Sequence, residues 1–309
     1  MELRKDYVLD RWVIVSEGRS ARPHQLHPSP EQEGVDYFAQ GNEHLTPPER
    51  GRIVRNGGWQ MRWFENKFPA VSPEGDSKVK THNRFFTFGD AYGYHEVIVE
   101  TPRSDKQLGD LPVEDIEQLL HVYARRICEL EKDQNIQYVN VFKNHGVQAG
   151  TSIVHSHSQV IATAFIPLVI QEKMHAMKRF LSCPYCHIVA LELQGVRKCF
   201  ENEHMVAFTP YASRFNYEVW IFPKAHVARM EDMNFGACAD ILSKVLRKMT
   251  EANLDYNIIV QYGPKVHDFH FHIEVCPRKA IWAGFEFSSG VVINSTSPED
   301  AARWYRGEL

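Results

Sequence analysis

No apolar run in the sequence approaches the ~20 residues that a membrane-spanning helix needs. The first residues, Met1-Glu2-Leu3-Arg4-Lys5-Asp6, lack the apolar core of a secretory signal. Both absences point to the cytoplasm, where the six cysteines are expected to stay reduced and a close pair reads as a metal or redox element, not a disulfide. The basic residues form no long run or stripe and the formal charge is −4, so nothing calls for nucleic acid or a membrane surface. What is present is 309 residues, 43% of them apolar, enough for a large core and about two domain-sized units. Histidine is the unusual count, at sixteen.

Four of these histidines form two His-x-His pairs, His155 with His157 and His270 with His272, spaced 270 − 155 = 115 residues apart. The same pattern precedes each pair, which reads as an internal duplication. In the first copy, residues 94–100 alternate as a half-buried strand. Ile116, Leu119, Leu120, Tyr123, Ile127 and Leu130 then recur at helical spacing, and residues 138–142 and 153–162 supply two more strands. The second copy runs from a strand at 217–222 through a helix marked by Ile241, Leu242, Val245 and Met249, to strands at 256–262 and 270–276. The expected class is α+β: a duplicated fold of two antiparallel sheets, each with one main helix packed on a face. The expected halves are residues 1–178 and 179–309.

Cys183-Pro184-Tyr185-Cys186 opens the second copy. Alone it fits a redox motif, a zinc knuckle or two packing cysteines. Pro223-Lys224-Ala225-His226 closes the next strand and His270 opens the last. Two thiolates and two imidazoles can therefore converge as the Cys₂His₂ set that structural zinc favours. His272 competes with His270 for the fourth place, and the repeat register favours His270. The matching positions of the first copy hold Asp36, Ala39 and Ser104, leaving His155 as a lone ligand. One imidazole cannot hold zinc, so one metal site is expected, in the second half. The remaining cysteines, Cys128, Cys199, Cys238 and Cys276, read as small buried residues.

His157 is the candidate nucleophile. A neutral imidazole attacks phosphorus without first losing a proton, and the phosphoramidate it forms can pass its group on. Gly150 and Ser152 form a small-residue turn whose backbone N–H groups suit phosphate oxygens. Gln159 lies two residues along the strand on the face of His157, where its amide can hydrogen-bond a non-bridging oxygen without delivering a proton to the leaving group. A third histidine there would favour release to water.

The run His155-Ser156-His157-Ser158-Gln159, with Asn144-His145-Gly146 and Gly150-Thr151-Ser152 before it, resembles the galactose-1-phosphate uridylyltransferase branch of the histidine-triad superfamily. Residues 2–15, 18–23, 41–48, 65–70 and 283–286 are similar to that branch as well, so the resemblance covers nearly the whole chain. It implies a ping-pong reaction in which His157 takes a nucleoside monophosphate from a nucleotide sugar and gives it to a sugar phosphate or phosphate. It further implies that Arg19 and Arg22 contact phosphate or sugar, that Phe64, Asn66, Lys67 and Phe68 surround the nucleotide, and that Asn144 lies beside the histidine loop. Ser152 is implied on the phosphate, and Phe285, Glu286 and Asn294 on the hexose. A homodimer whose subunits complete each other's sites is implied too. No organic cofactor is called for.

Ser156 stands where the best-known uridylyltransferases carry proline, and Ile161 where they carry tryptophan. The serine form is more similar to relatives acting on adenylyl compounds, such as ADP-glucose phosphorylase, so the base and the sugar stay open. Two other classes stay open as well. Gln159 argues against a histidine-triad hydrolase, and the survival of His157 with Gln159 argues against a catalytically silent, zinc-stabilised nucleotide-binding protein.

Overall fold

Alternating and helical apolar periods segregate along the chain, and the computed structural model, which describes residues 1–5, 12–15, 34–265 and 268–309, follows them closely. The first half contains β1 (Glu2–Lys5), β2 (Trp12–Val15), β3 (Glu49–Arg55), β4 (Gly58–Glu65), β5 (Lys80–His82), β6 (Phe86–Asp90), β7 (Gly93–Val99), α1 (Val113–Leu130), β8 (Tyr138–His145), β9 (His157–Thr163) and α2 (Leu168–Met177). The second contains α3 (Pro184–Glu192), β10 (Lys198–Glu201), β11 (Met205–Phe208), β12 (Val219–Pro223), α4 (Phe235–Glu251), β13 (Tyr256–Gln261), β14 (His272–Pro277), α5 (Gly284–Ser289) and α6 (Pro298–Tyr305).

The class is α+β, built on antiparallel sheets. The larger sheet has the order β10-β11-β12-β14-β13-β8-β9-β7-β4-β3, and β2-β1-β6-β5 form a smaller one. Reading outwards from the middle of the large sheet, β8-β9-β7-β4-β3 is answered by β13-β14-β12-β11-β10, so the two copies carry the same strand order and meet edge to edge. That junction pairs Asn257 with Asn144 and Tyr256 with His145. Pairing across it removes one exposed edge from each half-sheet.

One face of the large sheet holds both long helices. The apolar stripe of α1, including Ile116, Leu120 and Ile127, joins that of α4, including Ile241, Val245 and Met249, in one core with Ile98, Val160 and Ile258 from the strands. Glu96, on the same face of β7 as Ile98, is met there by Arg126 of α1 at 2.7 Å. Alternation therefore turns His95, Val97 and Val99 to the opposite face, together with His157 and Gln159 of β9. No helix among the described residues is long and apolar enough to cross a membrane. Cys199, Cys238 and Cys276 are buried, whereas Cys128 is only half-buried and so departs from the expectation.

Candidate active site

A cleft of roughly 250 Å³ opens on the face of the first half opposite α1, lined by Tyr37, Phe38, Phe64, Asn66, Ser152 and His157 among others. Lys67, Phe68 and Gln159 also line it. The sequence candidates from three segments, 64–68, 152 and 157–159, thus meet in one place. Register explains the meeting: Val99 is opposite His157 and Val97 opposite Gln159, while Phe64 is opposite Val97 on the next strand. The rows Phe64–Val97–Gln159 and Val99–His157 therefore lie on one surface. Aromatic rings close it, with Phe38 set edge-on to both Phe64 and His157, the latter at 5.3 Å between centroids.

His157 is 6% exposed. Its Nδ1 donates to the backbone carbonyl of His155 at 2.8 Å, which fixes the tautomer and leaves the lone pair on Nε2. Burial, helped by the nearby positive charge of Lys143, holds its pKa down at about 4. A ring in that state is neutral at physiological pH and able to attack.

The two serines of this run, Ser156 and Ser158, serve the other face. Ser156 Oγ donates to Glu100 Oε2 at 2.5 Å, and Ser158 donates to the other oxygen of the same carboxylate and meets Tyr123. Lys143 Nζ completes the cluster, 2.7 Å from Glu100 and 3.2 Å from the carbonyl of His157. Burial raises the pKa of Glu100, but Lys143 and the two serine hydroxyls outweigh it and leave the carboxyl below its ordinary value. A proline at position 156 would have no hydroxyl for Glu100, so this buried pair and the serine form of the motif belong together.

Other sequence candidates lie outside the cleft. Gly150 has φ +84°, and its N–H closes the turn onto the carbonyl of Val147 at 3.0 Å. That N–H is engaged in the turn itself. Asn144 faces a smaller cavity behind the loop, shared with Asp255 and the far side of His157. Its Oδ1 accepts from Asn257 at 2.9 Å. Phe285, Glu286 and Asn294 do not line the cleft. The Glu286 carboxylate accepts the N–H of Ala283 at the start of α5, and the amide of Asn294 donates to the carbonyls of Ser213 and Phe215. Arg19 and Arg22 lie outside the described residues.

Three contributors carried no clear sequence signal. Phe38 comes from a loop without periodicity. Asp255 and Asn257 belong to the second half yet hold the histidine loop of the first, Asp255 by accepting the N–H of Gln148 at 2.7 Å. His95 was legible as a polar residue in an alternating strand, on the same side as the apolar Val97; its partners were not.

The second half brings Cys183, Cys186, His226 and His270 together, with their ligand atoms all within 4.8 Å of one another. Cys183 precedes α3 and Cys186 lies in its first turn. His226 follows β12 and His270 precedes β14, and these strands are neighbours. Each imidazole turns Nδ1 towards Cys186, at 3.1 and 3.5 Å. Each ties Nε2 elsewhere, His226 to Asp268 at 2.6 Å and His270 to the carbonyl of Pro223 at 3.1 Å. Burial and the adjacent Cys183 push the Cys186 thiol up to about 11. Two thiols and two oriented lone pairs fit tetrahedral zinc, with hydrogen-bonded outer partners of the kind such sites use. His272 is outside this group: its Nδ1 bonds the carbonyl of His270 and its Nε2 is 3.4 Å from Glu274. Glu274, at the place corresponding to Gln159, is bound by Lys173 and Arg214 at 2.6 and 2.7 Å. Aromatic rings, Phe222 and Phe269 stacked and Tyr185 tilted, fill the space around His272 where the first half has its cleft.

Known proteins resemble this chain over nearly its whole length. Residues 1–167 match the family model for the N-terminal domain of galactose-1-phosphate uridyl transferase. ADP-glucose phosphorylase of Arabidopsis thaliana is 30% identical over 99% of this chain and 92% of its own length. Galactose-1-phosphate uridylyltransferase of Thermotoga maritima is 30% identical over 99% and 98%. Among solved structures, the Arabidopsis thaliana ADP-glucose phosphorylase with bound ADP-glucose superposes with a TM-score of 0.79 at 29% identity, covering 99% of this chain and 98% of that one. The chain belongs to the galactose-1-phosphate uridyl transferase family of nucleotidyltransferases, the family that its His155-to-Gln159 run resembles.

Proposed function

We propose that the protein transfers a nucleoside monophosphate between a nucleotide sugar and a hexose 1-phosphate by a ping-pong route through His157. The observation that carries this is the tautomer of His157, whose Nδ1 donates to His155 and leaves Nε2 as the nucleophile of a ring lining the cleft. Nε2 attacks the α-phosphorus, a P–N bond forms, and the P–O bond to the sugar phosphate breaks. An oxygen of the acceptor phosphate then attacks the same phosphorus and the P–N bond breaks. Gln159 and Ser152 stabilise the phosphoryl oxygens, with Gly150 shaping the loop. Phe64, Asn66, Lys67 and Phe68 hold the nucleotide, and Asn144 braces the loop from behind.

UDP-glucose with galactose 1-phosphate is the first donor and acceptor pair to consider. The second reading is an adenylyltransferase that uses phosphate as acceptor. The serine form of the motif, with both serines engaged by Glu100, supports it, as does similarity to an ADP-glucose phosphorylase. Residues 1–178 are the catalytic half; residues 179–309 carry one structural zinc on Cys183, Cys186, His226 and His270. We place the protein in the cytoplasm as a homodimer, in which Arg19, Arg22, Phe285, Glu286 and Asn294 contact phosphate or hexose, in part across the subunit boundary.

The test is intact mass after brief separate incubations with UDP-glucose and ADP-glucose, with His157→Ala as control. A gain of one UMP or AMP that the variant lacks supports transfer and names the base. Nucleotide binding without an adduct from either donor overturns the covalent route.

A further inference from the structure

His95 has no part in the chemistry described so far, yet it is 3% exposed on the cleft face of β7 and three polar groups converge on its ring. The N–H of Ala70 donates to Nδ1 at 3.0 Å. A backbone amide can only donate, so Nδ1 is the acceptor and, in a neutral ring, the proton sits on Nε2. Two side-chain amides lie within reach of that proton. Asn66 is at 3.1 Å through Nδ2, and its own Oδ1 is already taken by the N–H of Phe68 at 2.8 Å. Gln159 is at 3.0 Å through Oε1 and supplies the acceptor.

We propose that His95 is a positioning residue that sets the orientation of the Gln159 amide. With Oε1 held by His95, the NH₂ of Gln159 is the end left for the cleft, and a phosphoryl oxygen can only accept. The flipped amide would aim its oxygen at the phosphate and repel it. Glutamine is symmetric in shape about this torsion, so nothing in its packing distinguishes the two orientations; a neighbour of fixed polarity must. The chain supplies that polarity through an ordered relay from Ala70 N–H to His95 to Gln159. The backbone of Asn66, which donates to the carbonyl of His95 at 2.7 Å, fastens the cleft-lining segment 66–70 to the same residue. The inference rests on the proposed nucleotidyl transfer.

The test compares His95→Gln, His95→Leu and His95→Glu in the full-length protein, reading the rate of adduct formation and the KM for the nucleotide sugar that labels the unmutated protein. Glutamine at 95 can offer an N–H near the place of Nε2, so H95Q should stay within roughly threefold of the unmutated protein. H95L removes the donor and should slow adduct formation roughly 10- to 100-fold with little change in KM, the range seen when a residue that orients a reacting group is lost. H95E, which offers only acceptors, should be slower still. In a Gln159→Ala background H95L should cost nothing further, because the residue it orients is gone.

Equal losses in H95Q and H95L, or losses that multiply with Q159A, would overturn the proposal and leave His95 a packing residue. If the unmutated protein forms no adduct with any donor, the functional reading fails instead. The ¹⁵N spectrum of the imidazoles then decides this one. A neutral Nε2–H tautomer at His95 whose proton shift moves in Q159A upholds the relay, and an Nδ1–H tautomer sinks it.

Discussion

His155 and Asp36 are joined by a hydrogen bond of 2.8 Å from Nδ1 to Oδ2, at the position corresponding to the cysteine–histidine cluster of the second half. The parallel with His270 is close. Each ring gives its Nε2 to a backbone carbonyl, of Thr101 at 2.7 Å and of Pro223 at 3.1 Å, and each turns Nδ1 to the group that decides the site. In one half that group is Cys186, in the other Asp36. A carboxylate standing where a thiolate would be converts a metal position into a direct side-chain contact.

Asp36→Ala should therefore destabilise the protein by roughly 1–3 kcal/mol, since it leaves a buried ring nitrogen without its partner. Urea denaturation of the two proteins measures this, and Asp36→Asn, which keeps an acceptor oxygen, should lose less. Metal analysis of the intact protein should return one zinc per chain. Two per chain would refute the reading of Asp36 as a replacement for metal.

Zinc removal should act on the fold ahead of the chemistry. The four proposed ligands lie at the start of α3 and beside β12 and β14, all in the second half, whereas the cleft belongs to the first. Stripping the ion with a strong chelator, or replacing Cys186 with serine, should lower the melting temperature markedly while changing affinity for the nucleotide less, because metal binding is coupled to folding. Calorimetry together with nucleotide titration checks both. Loss of affinity without loss of melting temperature would make the metal catalytic.

The pH response of His157 has a definite sign. Its ring titrates near 6.5 in the unfolded chain and at about 4 in the folded one, so between those values the unfolded state binds more protons. The folded state is favoured above pH 6.5 and loses that advantage as the pH falls towards 4, by at most about 3 kcal/mol. His157→Gln removes the titrating group, so urea midpoints measured from pH 7.5 to 4.5 should fall less steeply in the variant. The rate of adduct formation, in turn, should pass through pH 6.5 without the drop that an ordinary histidine nucleophile would give.

Legibility in the sequence followed the physics of each feature. Periodicity is a local property, so the helices at 113–130 and 235–251 and the strands that begin at the second histidine of each pair could be read directly, though their starts were expected earlier, at 153 and 270, and the 115-residue register already aligned His270 with His155. Short motifs with fixed chemistry, Cys183 to Cys186 and His155 to Gln159, were readable for the same reason. Edge-to-edge union of the half-sheets was not, because β8 and β13 look alike whether their edges face solvent or each other. Nor was the pairing of Glu100 with Lys143, 43 residues apart: a strand-end carboxylate and a strand lysine are ordinarily solvated. Gly150 was ambiguous because glycine serves an anion-binding loop and a tight turn equally well, and its φ of +84° is visible only in the fold.

The Glu100–Lys143 pair sits at 0% and 1% side-chain exposure beneath β9, so breaking it from one side leaves a buried charge. Lys143→Met should cost roughly 3–5 kcal/mol. The double variant Glu100→Gln with Lys143→Met should recover a good part of that loss, since neither charge then remains. Denaturation of the two variants, with the adduct assay alongside, separates stability from positioning. A single Lys143→Met variant as stable as the unmutated protein would mean that water reaches the carboxylate.

The second half reaches into the first through Asp255, and this contact should matter for catalysis more than for stability. Gly146 has φ +82°, and a Cβ there would lie 1.9 Å from Asp255 Oδ1, so the loop can approach the carboxylate only because residue 146 is glycine. Asp255 Oδ2 in turn accepts the N–H of Gln148 at 2.7 Å, and Asn257 donates to the carbonyl of Ala149 at 3.0 Å. The segment leading to Ser152 and His157 is thus braced from β13 and the residue before it. Asp255→Ala should leave the core strands intact and cost under about 1.5 kcal/mol of stability, the ordinary loss of one partly exposed hydrogen bond. A loop freed by even an ångström should slow adduct formation roughly 100-fold. Gly146→Ala should do the same from the other side of the contact. If both variants react at the unmutated rate, the duplicated half supplies a scaffold and the proposed metal site to this enzyme but no part of its reacting geometry.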